Sequence, residues 1–121
     1  MGSPEERLTA QPIFDRLKTD RIIDLVSDTN LLKAAAILER CALYIGNDNG
    51  QMHMSAAMGT KTIGLFGPTP PALYRPWGSS GHFVCSSRPQ AELAQIEKRI
   101  GRDAECLMTE LSVEAVLAAA R

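Results

Sequence analysis

The stretch LYIGNDNGQMHMSAAMGTKTIGLF, residues 43–66, decides the fold. Leu43-Tyr44-Ile45-Gly46 is a brief apolar run that ends in a polar, glycine-containing loop, the pattern of a strand buried in a parallel sheet. Residues 52–58 are small or apolar with no breaker before Gly59, which predicts a short helix with a glycine at its stop. Thr62-Ile63-Gly64-Leu65-Phe66 is the next strand. A strand, a loop, a helix and a second strand joined by short links favour an α/β layer on a parallel sheet over a helical bundle.

Outward from this unit the pattern holds upstream and breaks downstream. Residues 30–41 repeat Leu31, Leu32, Ala35, Ala36 and Leu38 at helical spacing and leave Lys33, Glu39 and Arg40 for solvent. Ser27, Asp28 and Thr29 offer caps for that helix. Residues 22–26 are short and β-branched and read as a strand interrupted by Asp24. Residues 8–18 read as a helix starting near Pro12, because proline suits a first turn. After Phe66, Gly67-Pro68-Thr69-Pro70-Pro71 must be a loop, since three prolines remove ladder donors, and Tyr74, Pro76 and Trp77 extend it. Residues 82–85 suit an edge strand, 91–100 a charged helix, and 112–120 a last helix capped by Ser112.

The 121 residues suit one compact core, so residues 1–121 are expected to form a single folding unit, with 1–7 unstructured or an appended scar. Thirteen basic and fourteen acidic residues leave a net charge of -1, without the basic excess of a nucleic-acid binder. Apolar runs fall far short of the roughly 20 residues that span a bilayer. The first residues lack the pattern of a signal peptide. Cys41, Cys85 and Cys106 are odd in number and widely spaced, which fits reduced thiols in a cytoplasm better than a disulfide frame or a zinc site, and Cys41 reads as core.

Ligands of an open α/β sheet sit beyond the carboxyl ends of its strands, so residues 47–51 and 67–71 should share one edge. A diphosphate needs exposed backbone N–H groups and a positive helix end, and Asn49 and Gly50 open the helix that runs toward Met58. Asp48 is either a ligand contact or merely the helix cap, and His53 on the first turn faces either the ligand or the sheet. Gly67, Pro68 and Thr69 would form the other wall of a cleft. Tyr74 and Trp77 could flank a base or sugar, but aromatic residues beside proline more often seal a sheet, and packing is the expected role. Met52, Met54 and Met58 read as core filler, and His82 as a surface residue.

Taken together, GNDNGQMHMSAAMGTKTIGLFGPTPPALYRPWG resembles the signature segment of glycosyltransferase family 9, the lipopolysaccharide heptosyltransferases. The matching positions are Gly46, Asp48, Asn49, Gly50, His53, Ala56, Ala57, Gly59, Thr60, Phe66, Gly67, Pro68 and Thr69. The resemblance implies a Rossmann-like parallel sheet with flanking helices, part of the C-terminal half of a GT-B fold. It implies that Asp48, Asn49, Gly50 and His53 contact the diphosphate and sugar of an ADP-heptose-like donor, with Gly67, Pro68 and Thr69 nearby. No cofactor or metal is implied, because the helix end at Gly50 would stabilise the departing nucleoside diphosphate. The family's catalytic base lies in the N-terminal acceptor domain, so no catalytic residue carries over to this stretch. Asn49 stands where the family usually has serine or threonine, and Gln51 where it often has proline.

The implied partners are a nucleotide-sugar and either the N-terminal acceptor domain or a second copy of the chain. Nucleic acid is not among them, and a membrane enters only peripherally through the glycan acceptor. The competing expectation is a non-catalytic Rossmann-like domain that dimerises through an interdomain face. A GT-B epimerase fits the motif less well.

Overall fold

The computed structural model describes residues 1–17, 19–101 and 106–121. The chain divides into two compact units, Met1–Ile37 and Leu38–Arg121. In the first unit Val26 and Ala34 are buried, whereas Leu8, Ile13, Ile23, Leu31 and Leu32 are exposed.

In the first unit, Pro4–Glu6 makes a turn of 3₁₀ helix. A Glu6 carboxylate oxygen accepts the Ser3 N–H at 2.7 Å. Helix α1 (Arg7–Arg16) continues from this turn, which is why it starts before Pro12 and carries that proline inside, at the cost of one helical N–H. The strand expected at residues 22–26 is replaced by a single parallel bridge between Gly2 and Val26. Asp24 explains the loss, because its carboxylate accepts the Val26 N–H at 2.9 Å and pairs with Arg7 instead of leaving the backbone free for a ladder. The Val26 N–H, and then the Arg7 guanidinium, hold the Asp24 carboxyl below the usual carboxylate range.

Helix α2 spans Leu31–Glu39. Asn30, rather than residues 27–29, caps it, accepting the Lys33 N–H on Oδ1 at 2.9 Å. Its buried stripe is Ala34 and Leu38, one turn apart, and Leu31 and Leu32 stay in solvent, contrary to the expected apolar face.

The second unit holds a three-stranded parallel sheet in the order β1 (Tyr44–Asn47), β2 (Thr62–Phe66), β3 (Gly81–Cys85). Helix α3 (Gly50–Ala57) joins β1 to β2, and the one-turn helix α4 (Pro71–Tyr74) lies between β2 and β3. The register pairs Tyr44 with Thr62 and Gly46 with Gly64, so these four residues share one face of the pleat. That face carries α3. A Cβ on Gly64 would stand 2.5 Å from Met52 Sδ and 2.7 Å from the Phe66 ring, so the bare glycine is what lets α3 approach this closely. Met52, Ser55, Thr62, Ile63 and Phe66 are sealed from solvent. The Thr62 hydroxyl lies 2.9 Å from Ser55 Oγ, so the polar atoms buried under α3 satisfy one another. Thr60 closes the rear of this layer by donating its hydroxyl to the Leu38 carbonyl at 2.6 Å.

Helices α5 (Gln90–Ile100) and α6 (Val113–Ala120) complete the unit. Ser112 caps α6 as expected, accepting the Ala115 N–H at 3.1 Å, and α6 packs on β3 and β2. Cys41, Cys85 and Cys106 form no disulfide, and Cys41 is only half-buried. Among the described residues, no helix is long and apolar enough to cross a membrane.

Candidate functional site

Because β1 and β2 are adjacent and parallel, their carboxyl ends open on the same edge, and the two loops expected to meet do meet. Asp48, at the end of β1, shares an open cleft of about 600 Å³ with Pro68, Thr69 and Pro70, which follow β2. Tyr74 of α4 and Ala94 and Glu97 of α5 line the remaining sides.

Asn49, and not Asp48, is the N-cap of α3. Its backbone is extended at φ -155°, and Oδ1 accepts the N–H groups of Gln51 at 3.0 Å and Met52 at 3.2 Å. The Tyr44 phenol folds over Gly46 and places its hydroxyl 3.4 Å from the same Oδ1, a long third contact. Burial raises the pKa of this phenol. With Oδ1 occupied, the side-chain amide is oriented so that Nδ2 is its remaining donor. The cap leaves the Gly50 N–H unengaged, and the space beside Gly50 is open. The expected donors at the helix start are thus partly used by the protein: Gln51 and Met52 are capped, while Asn49 and Gly50 are exposed.

His53 faces away from the sheet. Met52 and Ser55 occupy the buried face of α3, and the His53 side chain is 44% exposed with Nε2 3.9 Å from Asp48 Oδ1, whose own side chain is 18% exposed. At that distance the imidazole and the carboxylate make only a loose contact.

Gly67 is placed by packing. It is buried, and a Cβ there would stand 2.6 Å from Met108 Sδ and 3.2 Å from the Leu107 carbonyl oxygen. Its contact is with the segment leading to α6, whereas Pro68 and Thr69 face the cleft. The second loop is also tied to α5, where Gln90 Nε2 donates to the Thr69 carbonyl at 3.3 Å.

The aromatic residues differ from expectation. Trp77 is 86% exposed and Tyr74 is exposed on the cleft, so neither seals the sheet. Pro76 is the buried residue of that stretch, its carbonyl set so close to Gly81 that a Cβ there would lie 2.5 Å away. Met52 is core as expected, Met54 is half-buried and Met58 reaches the surface, as does His82. Sequence reasoning missed Tyr44, Gln90 and Glu97. The signals were present: Tyr44 has the same strand parity as Gly46, and Gln90, Ala94 and Glu97 recur at helical spacing on one face of α5.

The family model described as glycosyltransferase family 9 (heptosyltransferase) matches residues 1–102. Lipooligosaccharide heptosyltransferase 2 of Campylobacter jejuni subsp. jejuni serotype O:2 is 33% identical over 78 residues, covering 63% of this chain and 24% of the relative. Lipopolysaccharide heptosyltransferase 1 of Salmonella typhimurium (strain LT2) is 27% identical over 96 residues, 79% of this chain and 29% of the relative. The crystal structure of a family 9 glycosyl transferase from Veillonella parvula DSM 2008 superimposes with a TM-score of 0.80 at 27% identity, over 98% of this chain and 33% of that one. The chain therefore spans 24% to 33% of the length of these relatives. The match over residues 1–102, together with a Rossmann-like parallel sheet that superimposes on a family structure, makes this chain a member of glycosyltransferase family 9, the heptosyltransferase family.

Proposed function

We propose that this chain is the donor-binding part of a glycosyltransferase that builds lipopolysaccharide or another cell-surface glycan, and that it holds an ADP-heptose-like nucleotide-sugar. The observation that carries this is the convergence of the Asn49-capped start of α3 with Thr69 and Asp48 at one sheet edge. Asn49 Nδ2 and the Gly50 N–H would donate to the diphosphate at the positive end of α3, with His53 on the same turn. As an acceptor hydroxyl attacks the anomeric carbon, charge grows on the leaving diphosphate, and donors already aimed at it lower the barrier.

On this reading the chain belongs to the C-terminal half of a GT-B enzyme working in the cytoplasm. The acceptor half supplies the base, and the 121 residues alone bind donor without turnover. Titration of the labelled chain with ADP and an ADP-sugar, followed by NMR, tests the proposal. The amides of Asn49, Gly50 and His53 should move, and unmoved amides at millimolar ligand would overturn it.

One observation favours a second reading. Leu73 and Trp77 are both exposed and line one shallow cavity, a surface suited to association, so a non-catalytic domain pairing through it is the rival. Sedimentation separates the two, since a strict monomer that binds nucleotide sinks the dimer version.

A further inference from the structure

We infer that the surface formed by Leu73, Arg75 and Trp77 docks the chain on a negatively charged lipid bilayer, the two apolar side chains entering the interface and the arginine meeting the headgroups. This goes beyond the donor-binding reading and stands whether or not a nucleotide binds. Leu73 is 75% exposed and Trp77 86%, and both line one shallow cavity with Arg75. Arg75 and Ala72 also line the neighbouring hollow, together with the exposed Phe83, so the patch is continuous.

These side chains stand out because the backbone beneath them is pinned. Pro71 and Pro76 are buried on either side of Leu73 and Arg75. The Arg75 N–H donates to the Pro71 carbonyl at 3.0 Å and closes α4. Gly78 turns the chain at φ 92°, and the Gly81 N–H reaches the Gly78 carbonyl at 3.3 Å. A segment held in this way needs little ordering when it docks. Tryptophan favours the headgroup level of a bilayer, where its ring is out of water and its N–H stays wet, and leucine favours the acyl boundary just below.

Charge selects the partner. Asp48 and Glu92 bound a stretch without acidic residues that contains Lys61, Arg75 and Arg88, although the whole chain has a net charge of -1. Arg88 is answered by Glu110 at 2.5 Å. Arg75 is exposed and makes no ion pair among the described residues. An anionic bilayer supplies the charge that Arg75 lacks. A second copy does not, because two-fold pairing sets the same patch against itself and brings two copies of Arg75 together. An acidic peptide is held by apolar groups sunk in a groove, whereas Leu73 and Trp77 stand in solvent.

Trp77 is the chain's one tryptophan, so its fluorescence reports on this surface alone. The full chain is titrated with vesicles of phosphatidylcholine and with vesicles of an equal mixture of phosphatidylcholine and phosphatidylglycerol. The mixture should shift Trp77 emission to the blue and bind about fivefold more tightly, the effect of one arginine at an anionic surface, and high salt should erase that preference. Arg75→Gln should make the two vesicles equal, and Leu73→Ser should weaken binding to both by about tenfold. Both side chains are exposed, so both variants should keep the wild-type urea midpoint. Unmoved emission at millimolar lipid, or equal binding of the wild type to the two vesicles, would overturn the proposal. So would a blue shift that grows with protein concentration without lipid, which assigns the surface to a second copy, or the same shift with polyglutamate, which assigns it to an acidic protein.

Discussion

Tyr44 and Asn49 meet at the end of β1, where the phenolic hydroxyl lies 3.4 Å from the amide oxygen that caps α3. The strand thereby braces the first turn of the helix, and with Oδ1 engaged the exposed Asn49 amide keeps Nδ2 as its donor. An asparagine here is therefore compatible with the proposed phosphate site, because capping and donation come from opposite sides of one amide.

Substitution of Asn49 separates these two jobs. Asn49→Asp keeps a capping oxygen, so urea unfolding should shift by less than about 0.5 kcal/mol. It removes the amide donor and adds a negative charge, so ADP affinity should fall about tenfold or more. Asn49→Ala should cost about 1 kcal/mol of stability through loss of the cap. Equal ADP affinity in the Asp variant, measured by calorimetry, would show that the amide does not touch the ligand.

The Tyr44 phenol gives the fold an alkaline limit. Burial raises its pKa above the ordinary value of 10.0, so the folded chain favours the neutral form. The associated stability is fully present below the unfolded value and is lost as pH rises through the folded one. Tyr44→Phe gives up only a long hydrogen bond, less than about 1 kcal/mol near neutral pH. The difference between wild type and variant in urea midpoint should shrink or reverse above pH ~10. A pH-independent difference from neutrality to strong alkali would contradict the burial.

Much of this site was legible in the sequence because parallel strands place their loops by rule. Thr62–Phe66 carries no polar side chain after Thr62 and is bounded by Lys61 and Gly67, and its observed limits are those expected. The meeting of Asp48 with Pro68 and Thr69 then followed from strand adjacency alone. What escaped depended on tertiary placement. Trp77 looked like packing, but the turn into β3 buries Pro76 and leaves the indole outside. Residues 22–26 had strand composition, and the Asp24 carboxylate diverted the backbone into a local bond with Val26. Glu97 joins the cleft only because α5 is held to the Thr69 carbonyl by Gln90, a contact 21 residues apart in the chain.

Thr60 tests the layer behind the site. Its hydroxyl donates to the Leu38 carbonyl at 2.6 Å, and both residues are buried. Thr60→Val keeps the shape and removes one of two hydrogen bonds to that carbonyl, the other coming from the Cys41 N–H at 3.0 Å, so it should cost about 0.5–1.5 kcal/mol. Thr60→Ser retains the donor and should cost less than valine does. If urea melts rank the two variants the other way, methyl packing rather than the hydrogen bond dominates there.

Gly67 links stability to the second wall of the cleft. A methyl group at this position would press on Met108 Sδ at 2.6 Å, a flexible end that can yield, and on the Leu107 carbonyl at 3.2 Å, which is backbone and yields less. Gly67→Ala should therefore destabilise by about 1–3 kcal/mol, as overpacking does. Met108→Ala alone leaves a gap, but in the double variant the new methyl fills part of the space that the sulfur vacated. The two substitutions should then couple favourably, the double variant being more stable than the sum of the singles by about 0.5–3 kcal/mol in chemical denaturation. The loop position responds to the same repair, so ADP-sugar affinity lost in Gly67→Ala should return in part in the double variant. Additive stabilities would mean that the loop escapes the methyl by moving away from α6, and the cleft wall would then be set by the prolines alone.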